Sequence, residues 1–321
     1  MPYLGIEIGG TKLQLGLGRG DGQISALRRL AIVPEAGAAG IRAQIEAAAS
    51  DLRGPAAEPF EAVGIGFGGP VDANSGLVTK SHQVAGWDGF PLAAWARAHL
   101  GCPTVALQND ADTAALGEAR FGAGVGFSPV LYVTIGSGIG GGLVVDGQIY
   151  RGAGAGAVEV GHLWVSADAV DGSLPAYGIL ESLASGWSIG RAGRQVVELW
   201  REGNDTTPLT NLAGGDPAGV TAAIVAEAAA LGDLRAQRIL ERAARALGRG
   251  LAHAVTLLAP RRIILGGGVS LMRTDLWLDP VSVELDARVF PPFRGTYHVV
   301  PAALGEEVVV HGALALARDA A

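Results

Sequence analysis

The stretch YLGIEIGGTKLQLGLGRGDGQI, residues 3–24, predicts a β-hairpin with a glycine-rich tip. YLGIEI and LQLGLG have the composition and alternation of two short strands, and the turn GGTK lies between them. A similar unit follows much later: VLYVTIGSGIGGGLVVDGQIY, residues 130–150, again places glycines between two strands and again carries DGQI after the second one. We interpret the two units as an internal duplication whose period is the size of a domain.

Helical and strand patterns alternate in the rest of the chain, which indicates α/β layering. The patterns predict helices at 38–52, 92–100, 111–119, 188–201, 217–257 and 306–317, and strands at 62–67, 104–108 and 262–265. In the longest helical pattern, leucines at helical spacing are expected to face the core; they are Leu234, Leu240, Leu247, Leu251 and Leu258.

Composition excludes several classes of function. The net charge of -7 and the absence of any Lys/Arg run argue against nucleic acid and anionic membranes as partners. The sole cysteine, Cys102, excludes an internal disulfide and any multi-cysteine metal site. The N-terminal residues lack the pattern of a signal peptide, and no run approaches the roughly 20 apolar residues of a membrane span, so we expect a cytoplasmic protein.

Three glycine clusters follow predicted strands and are candidate anion sites. GSGIGG at 136–141 fits the pattern GxGxxG, but a dinucleotide fold needs that motif to open a helix, and here a strand follows. Glycine-rich hairpin tips can instead present backbone N–H groups to a phosphate, although each tip taken alone is equally well explained as a tight turn. The three clusters are Gly9-Gly10-Thr11-Lys12, Gly136-Ser137-Gly138 and Gly266-Gly267-Gly268.

Several motifs together carry a resemblance to a known family. They are IEIGGTK, GIGFGGPVD, QNDADTAALGEARFG, TIGSGIGGGLVVDGQIYRGAGAGAVEVGH, ESLASG and IILGGG, in this order. The chain is similar over nearly its whole length to the ROK family of sugar kinases and sugar-responsive repressors. The resemblance implies an α/β fold of the actin-like, hexokinase and ribonuclease H-like ATPase type, with two related domains and a cleft between them. We expect a small N-terminal domain at 1–112 plus 304–321 and a large C-terminal domain at 113–303.

The motif QNDAD supplies the candidate catalytic residue. Asn109 and Asp110 lie where a predicted strand ends and a helix begins, which is the ligand-binding edge of an open α/β sheet. From this stretch alone, Asp110 fits a helix N-cap as well as it fits a general base. The resemblance implies that Asp110 is the general base for a sugar hydroxyl and that Asn109 contacts the sugar. Asp112 is expected to interact with the dipole of the helix.

The stretch EVGHLWV, residues 159–165, leaves the role of its histidine open between a core residue, a metal ligand and a sugar contact. The resemblance implies that the sugar is bound by Gly69, Asn109, Asp110, Glu159, His162 and Glu181. It also implies that ATP is bound by the three glycine clusters, namely Gly9, Gly10, Thr11, Lys12, Gly136, Ser137, Gly138, Gly266, Gly267 and Gly268. Glu7 is expected to hold Mg with ATP, through water.

The sequence departs from the family pattern at two places. Many members hold a structural zinc with the histidine of ExGH and three cysteines, and here Gly172, Leu174 and Ile179 stand at the cysteine positions. We therefore expect no zinc site. Glu7 stands where the family more often has aspartate, so its longer side chain leaves its role toward Mg open.

The sequence thus predicts an ATP- and Mg-dependent sugar kinase that phosphorylates a hexose, with glucose expected, at the 6-hydroxyl. Other sugars (fructose, mannose, allose or an N-acetylhexosamine) and polyphosphate as donor remain alternatives. A sugar-responsive regulator is disfavoured, because no helix-turn-helix precedes the first hairpin. A non-catalytic scaffold of the same fold would not need the combination of Asn109, Asp110, Glu159, His162 and Glu181. The expected partners are the hexose and a second copy of the chain in a homodimer.

Overall fold

A computed structural model describes residues 1–54, 59–81, 84–153, 156–165, 178–200 and 206–321, without the side chain of Trp200. The strands of these residues are β1 (Tyr3–Ile8), β2 (Lys12–Gly18), β3 (Ile24–Ala31), β4 (Val63–Phe67), β5 (Val71–Asp72), β6 (Leu77–Val78), β7 (Val105–Asn109), β8 (Val130–Ile135), β9 (Ile139–Val145), β10 (Gln148–Ile149), β11 (Arg262–Gly266) and β12 (His298–Pro301). The helices are α1 (Gly37–Arg53), α2 (Leu92–Leu100), α3 (Asp110–Phe121), α4 (Leu180–Ala184), α5 (Gly186–Trp200), α6 (Pro208–Leu212), α7 (Ala222–Ala230), α8 (Leu234–Leu258), α9 (Leu278–Arg288) and α10 (Val308–Ala320).

The two predicted hairpins begin two sheets with the same strand order, which confirms the duplication at the level of topology. The first sheet has the order β3-β2-β1-β4-β7, and the second has the order β10-β9-β8-β11-β12. In the first sheet β1, β2 and β3 pair antiparallel, whereas β1, β4 and β7 pair parallel. In the second sheet β9 and β10 pair antiparallel, and β11 and β12 pair parallel. The mixed α/β architecture predicted from the sequence is therefore present.

The chain divides into two compact units. One unit comprises Met1–Tyr132, Gly142–Val158 and Ala302–Ala321, and the other comprises Val133–Gly141 and Glu159–Pro301. We call them unit 1 and unit 2. The domain boundaries expected from the sequence, 1–112 plus 304–321 and 113–303, stay a prediction. No helix of the described residues has the length and apolar character that crossing a membrane requires.

The predicted helix over 217–257 is wrong as a single element. The structure breaks it after Ala230, and α8 begins at Leu234 with Asp233 as its N-cap; the Asp233 side chain accepts hydrogen bonds from the N–H groups of Arg235 and Ala236. Gly232, with φ of 90°, supplies the turn between the two helices. Because α8 starts there, Leu234 is 68 % exposed, whereas Leu240, Leu247 and Leu251 are buried as expected. Leu258, the last residue of α8, is half-buried.

The C-terminal helix α10 lies unusually close to the first sheet in unit 1. A Cβ built on Gly64 of β4 would overlap the carbonyl oxygen of Ala313 in α10. A Cβ on Gly312 would likewise overlap the carbonyl oxygen of Thr113, which belongs to α3. Glycine at these positions therefore permits backbone-to-backbone packing of α10 against both β4 and α3.

This packing generates a stability prediction. Gly64→Ala should lower the free energy of unfolding by about 1–3 kcal/mol, because neither the added methyl group nor the opposing backbone carbonyl can rotate away. Thermal and urea unfolding measure the change. The control is Gly219→Ala, an exposed site where a Cβ would meet its nearest atom only at 3.9 Å, and it should be nearly neutral. Equal stability of Gly64→Ala and wild type would contradict the packing.

Candidate active site

Three parallel strands of unit 1 end side by side, and the predicted site residues follow those ends. The register pairs Ile8 with Phe67 and Phe67 with Asn109. Gly68 donates its N–H to the carbonyl oxygen of Ile8 at 2.8 Å. A Cβ on Gly68 would lie 3.4 Å from the Cα of Gly9 and 3.4 Å from Oδ2 of Asp110. The first glycine turn, the loop after β4 and the candidate base are therefore neighbours at one sheet edge.

The side chains of Asn109 and Asp110 both serve the start of α3. Asn109 is the N-cap residue, and its Oδ1 accepts a hydrogen bond from Ala111 N at 2.8 Å. Its Nδ2 donates to the carbonyl oxygen of Gly69 at 3.1 Å. Oδ1 of Asp110 accepts from the same Ala111 N–H at 2.8 Å, while Oδ2 lies on the side of Gly68. The capping that the sequence allowed for Asp110 thus belongs mainly to Asn109, and one carboxylate oxygen of Asp110 faces the sheet edge.

Glu7 is held inside unit 1 by two neighbours from β2. Its Oε2 accepts a hydrogen bond from Nε2 of Gln14 at 2.6 Å, and its Oε1 lies 3.3 Å from the ammonium group of Lys12. Burial raises the pKa of the Glu7 carboxyl above its ordinary value, and the charge of Lys12 and the Gln14 hydrogen bond only partly oppose that shift. Glu7 therefore offers a single, oriented carboxylate beside the first glycine turn. That turn is closed by a hydrogen bond from Gly9 N to Lys12 O at 2.9 Å.

Gln14 is a residue of this network that the sequence analysis missed. Its side chain is fully buried and donates to Glu7 and to the carbonyl oxygen of Glu306 at 2.8 Å. Its Oε1 accepts from Nε of Arg29 at 3.0 Å. A signal was present in the sequence, because Gln14 stands directly opposite Glu7 in the hairpin, where one polar residue interrupts an apolar strand.

In unit 2 the glycine tip between β8 and β9 is joined to Glu181. Oε2 of Glu181 accepts a hydrogen bond from Ile139 N at 2.8 Å. A Cβ on Gly138 would lie 2.5 Å from the same oxygen, so a larger residue there would displace the carboxylate. The candidate phosphate turn and a candidate sugar ligand are therefore in direct contact, although 42 residues separate them in sequence.

The segment that carries Glu159 and His162 packs on the same tip. Gly161, between them, lies so close to the carbonyl oxygen of Ile139 that a Cβ would overlap it. Leu180 N donates to Leu163 O at 2.8 Å, which joins the segment to α4 next to Glu181. Glu159 and His162 are both exposed. The structure thus excludes the interpretation of His162 as a core histidine and brings the EVGH segment and Glu181 together around one residue, Ile139.

A cavity of about 680 Å³ opens beside this tip within unit 2. The beginning of α5 forms one wall, where Gly186 N donates to Gly136 O at 2.8 Å and Trp187 N approaches Ser137 O at 3.3 Å. The lining combines small residues with a few large ones: Gly136, Ser137, Gly186, Trp187, Gly190, Arg194, Thr221, Ala222, Ala223, Ala226, Gly268, Val269, Leu271 and Met272. We call it the glycine-lined cavity. Its size and its apolar lining with a few polar groups fit a small-molecule site.

The third glycine cluster contributes only in part to this cavity. Gly268 lines it, whereas Gly267, with φ of 82°, packs against the backbone of Ile135 at the end of β8. Gly266 is the buried last residue of β11. The positions Gly172 and Leu174 lie outside the described residues, and Ile179 pairs with Trp164 in an isolated β-bridge.

Comparison with known proteins places the chain in a family. Residues 3–320 match the ROK family model. The chain is 30 % identical to the glucokinase of Thermotoga maritima over 99 % of its own length and 98 % of that protein, and 32 % identical to the glucokinase of Streptomyces coelicolor over 98 % and 97 %. The structure resembles a ROK family glucokinase from Streptomyces griseus solved with glucose and AMPPNP, with a TM-score of 0.82, 33 % identity and coverage of 99 % and 100 %.

The contact between Gly138 and Glu181 predicts a specific coupling. Gly138→Ala should raise the dissociation constant for glucose about tenfold, since the methyl group displaces a carboxylate predicted to bind the sugar, while the melting temperature changes little. In a Glu181→Ala background, the same Gly138→Ala change should have almost no further effect on glucose binding. Calorimetric titration of the four proteins completes this double-mutant cycle. If the losses of glucose-binding free energy in the two single variants add up in the double variant, Gly138 acts independently of Glu181.

Proposed function

The chain belongs to the ROK family, and we propose that it is a hexose kinase that transfers the γ-phosphoryl group of ATP to the 6-hydroxyl of glucose. One observation carries the assignment of the base: at the ends of three parallel strands, Asp110 lies beside Gly68 and Gly9. A carboxylate next to a glycine turn suited to phosphate supplies the two things that phosphoryl transfer needs, a proton acceptor and room for the transferring group.

Asp110 acts in this proposal through the oxygen that faces Gly68. The carboxylate accepts the proton of the sugar's 6-hydroxyl while the bond from O6 to the γ-phosphorus forms and the bond to the ADP oxygen breaks, the electron pair of that bond leaving with ADP. The hydrogen bond from Ala111 N to the other oxygen fixes the orientation of the carboxylate. The capping role of Asn109 fixes the start of α3 and therefore the position of the base.

The residues present fit ATP and Mg. When bound, Mg with ATP supplies the γ-phosphoryl group and neutralises charge on the phosphates. Magnesium ions in kinases take one or two protein carboxylates and fill their other positions with phosphate oxygens and water, so the single carboxylate of Glu7 is a sufficient protein contribution. Thr11, Lys12, Ser137 and Gly138 are the residues proposed to surround the phosphates. The volume and lining of the glycine-lined cavity support its assignment to the nucleotide base, with Gly268 against the base.

The proposed sugar ligands are those predicted from the sequence: Gly69, Asn109, Asp110, Glu159, His162 and Glu181. Carboxylates and an imidazole suit pairs of neighbouring sugar hydroxyls, since they supply acceptors and a donor in close reach. The fixed positions of Glu181 and of the EVGH segment around Ile139 support this set. We further propose that the active protein is a homodimer and contains no zinc.

The function is tested by a coupled phosphorylation assay over glucose, fructose, mannose, allose and N-acetylhexosamines, with ATP and with polyphosphate as donors. Glucose with ATP should give the highest kcat/KM. Phosphorylation of none of these sugars would overturn the proposal, and faster turnover with another sugar or donor would reassign the substrate.

In the same assay, Asp110→Asn should lower kcat about 10²-fold or more while changing glucose binding only severalfold, because an amide still forms hydrogen bonds but cannot accept the proton. Asp112→Asn is the matched control, two residues further along the same helix turn, and it should keep kcat within severalfold. Near-normal turnover of Asp110→Asn would mean that Asp110 is not the base.

A substitution at His162 separates sugar binding from metal binding at this residue. His162→Ala should raise KM for glucose strongly and leave the melting temperature almost unchanged, because the residue is exposed and the cysteines of a zinc site are replaced. Metal analysis of the purified protein should find no stoichiometric zinc, and a zinc-selective chelator should not lower the melting temperature. A zinc ion at one per chain, lost together with stability in His162→Ala, would contradict the prediction.

A further inference from the structure

Five arginines form a straight row along α8 in unit 2. Their spacings of three, four, three and four residues place them on one side of the helix, and the first and last Cα atoms are about 21 Å apart along its axis. They are Arg235, Arg238, Arg242, Arg245 and Arg249. The row is notable because the chain as a whole carries a net charge of -7.

The row lines a groove between helices and does not project from a flat surface. Two cavities of about 390 and 230 Å³ lie along it and share Leu183, Arg238 and Arg242. Arg191, on the facing helix α5, lines the larger one. We call the two cavities together the arginine groove. Six arginines and one glutamate, Glu241, are the charged residues that line it.

Two ion pairs lie at the C-terminal end of the arginine row. Glu241 pairs with Arg245 at 2.6 Å, and Glu284 pairs with Arg249 at 2.9 Å. Within the part of the chain that the structure describes, neither Arg238 nor Arg242 forms an ion pair. These two residues are four apart on one helix face, where like charges repel each other. An anion bound between them would relieve that repulsion.

We propose that the arginine groove binds an oligophosphate anion, a small molecule or short chain with at least two phosphoryl groups. Arginine is the side chain best suited to phosphate, because its planar guanidinium forms paired hydrogen bonds with two oxygens. The length of the row favours a ligand with several phosphoryl groups over a single phosphate ion. Leu183 lines both cavities and places apolar surface beside the arginines, which strengthens their attraction to a bound anion.

The groove is separate from the glycine-lined cavity but shares two elements with the candidate active site. Trp187 and Arg194 of α5 line the cavity, whereas Ser188 and Arg191 of the same helix line the groove, so α5 lies between them. Leu183, which lines the groove, belongs to α4 two residues after Glu181.

The binding itself is tested without catalysis. The chain is saturated with AMPPNP and glucose, so that phosphate sites in the active site are filled, and sodium tripolyphosphate is titrated by calorimetry at constant ionic strength. We expect one tripolyphosphate site per chain. Arg238→Gln/Arg242→Gln should weaken it about tenfold or more, since two charge-assisted contacts are lost. The control Arg97→Gln/Arg261→Gln removes the same charge from two exposed positions outside the groove and should keep the affinity.

Three results would overturn the proposal. The first is that wild type has no tripolyphosphate site under these conditions. The second is that both double variants lose affinity equally, which would indicate only a general effect of net charge. The third is that Arg238→Gln/Arg242→Gln alters the oligomeric state, measured by light scattering, and leaves the tripolyphosphate affinity unchanged, because the groove would then be a contact between copies.

The source of the ligand is distinguished by further titrations. Inorganic phosphate should bind far more weakly than tripolyphosphate, and equal affinity would contradict a site for several phosphoryl groups. If a sugar bisphosphate binds more tightly than tripolyphosphate, the proposal is supported and the ligand is an organic phosphate. If tripolyphosphate binds more tightly, the proposal is supported and the ligand is an inorganic phosphate chain. Circular dichroism and the melting temperature of both double variants establish that they fold.

Discussion

The close packing of α10 against β4 and α3 is the constraint on which the candidate site in unit 1 depends. Gly64 and Gly312 let backbone meet backbone, so α10 packs in close contact with both β4 and α3. Asp110 is the first residue of α3, so the packing of α3 against α10 contributes to the placement of Asp110 beside Gly68. The C-terminal helix, though remote in sequence from every predicted site residue, therefore sets the geometry of the candidate base.

The duplicated topology explains why glycine turns recur at equivalent places. In both sheets an antiparallel hairpin leads into parallel strands, and a glycine turn follows the first strand of each. The two glycine turns differ in the residues that lie next to them. The first is next to a buried carboxylate, Glu7, held by Lys12 and Gln14, whereas the second is next to Glu181 and the start of α5. One backbone arrangement thus supports a turn with a proposed metal and phosphate role in unit 1 and a turn beside proposed phosphate, sugar and nucleotide-base contacts in unit 2.

The sequence predicted the features that depend on local pattern. The hairpins, the alternating strands and helices and the position of Asn109 and Asp110 at a strand end all follow from periodicity and turn residues. What depends on tertiary contacts was missed. The break before α8 requires Asp233 to cap a new helix, and a continuous helical pattern concealed it. The role of Gln14 depends on the hairpin register, which places it opposite Glu7. The contact between Gly138 and Glu181 joins residues that no short-range sequence pattern connects.

The short segment from α4 to the start of α5 is where three features of unit 2 meet. Glu181 binds the second glycine turn, Trp187 lines the glycine-lined cavity, and Leu183 and Arg191 line the arginine groove. Arg191 also lies over the ring of Trp187, 5.0 Å from its centroid, which connects groove and cavity through one side-chain pair. Backbone hydrogen bonds from Leu180 N to Leu163 O and from Gly186 N to Gly136 O anchor the start of α4 and the start of α5. The three features of unit 2 are therefore joined through one short segment that is anchored at both of its helix starts.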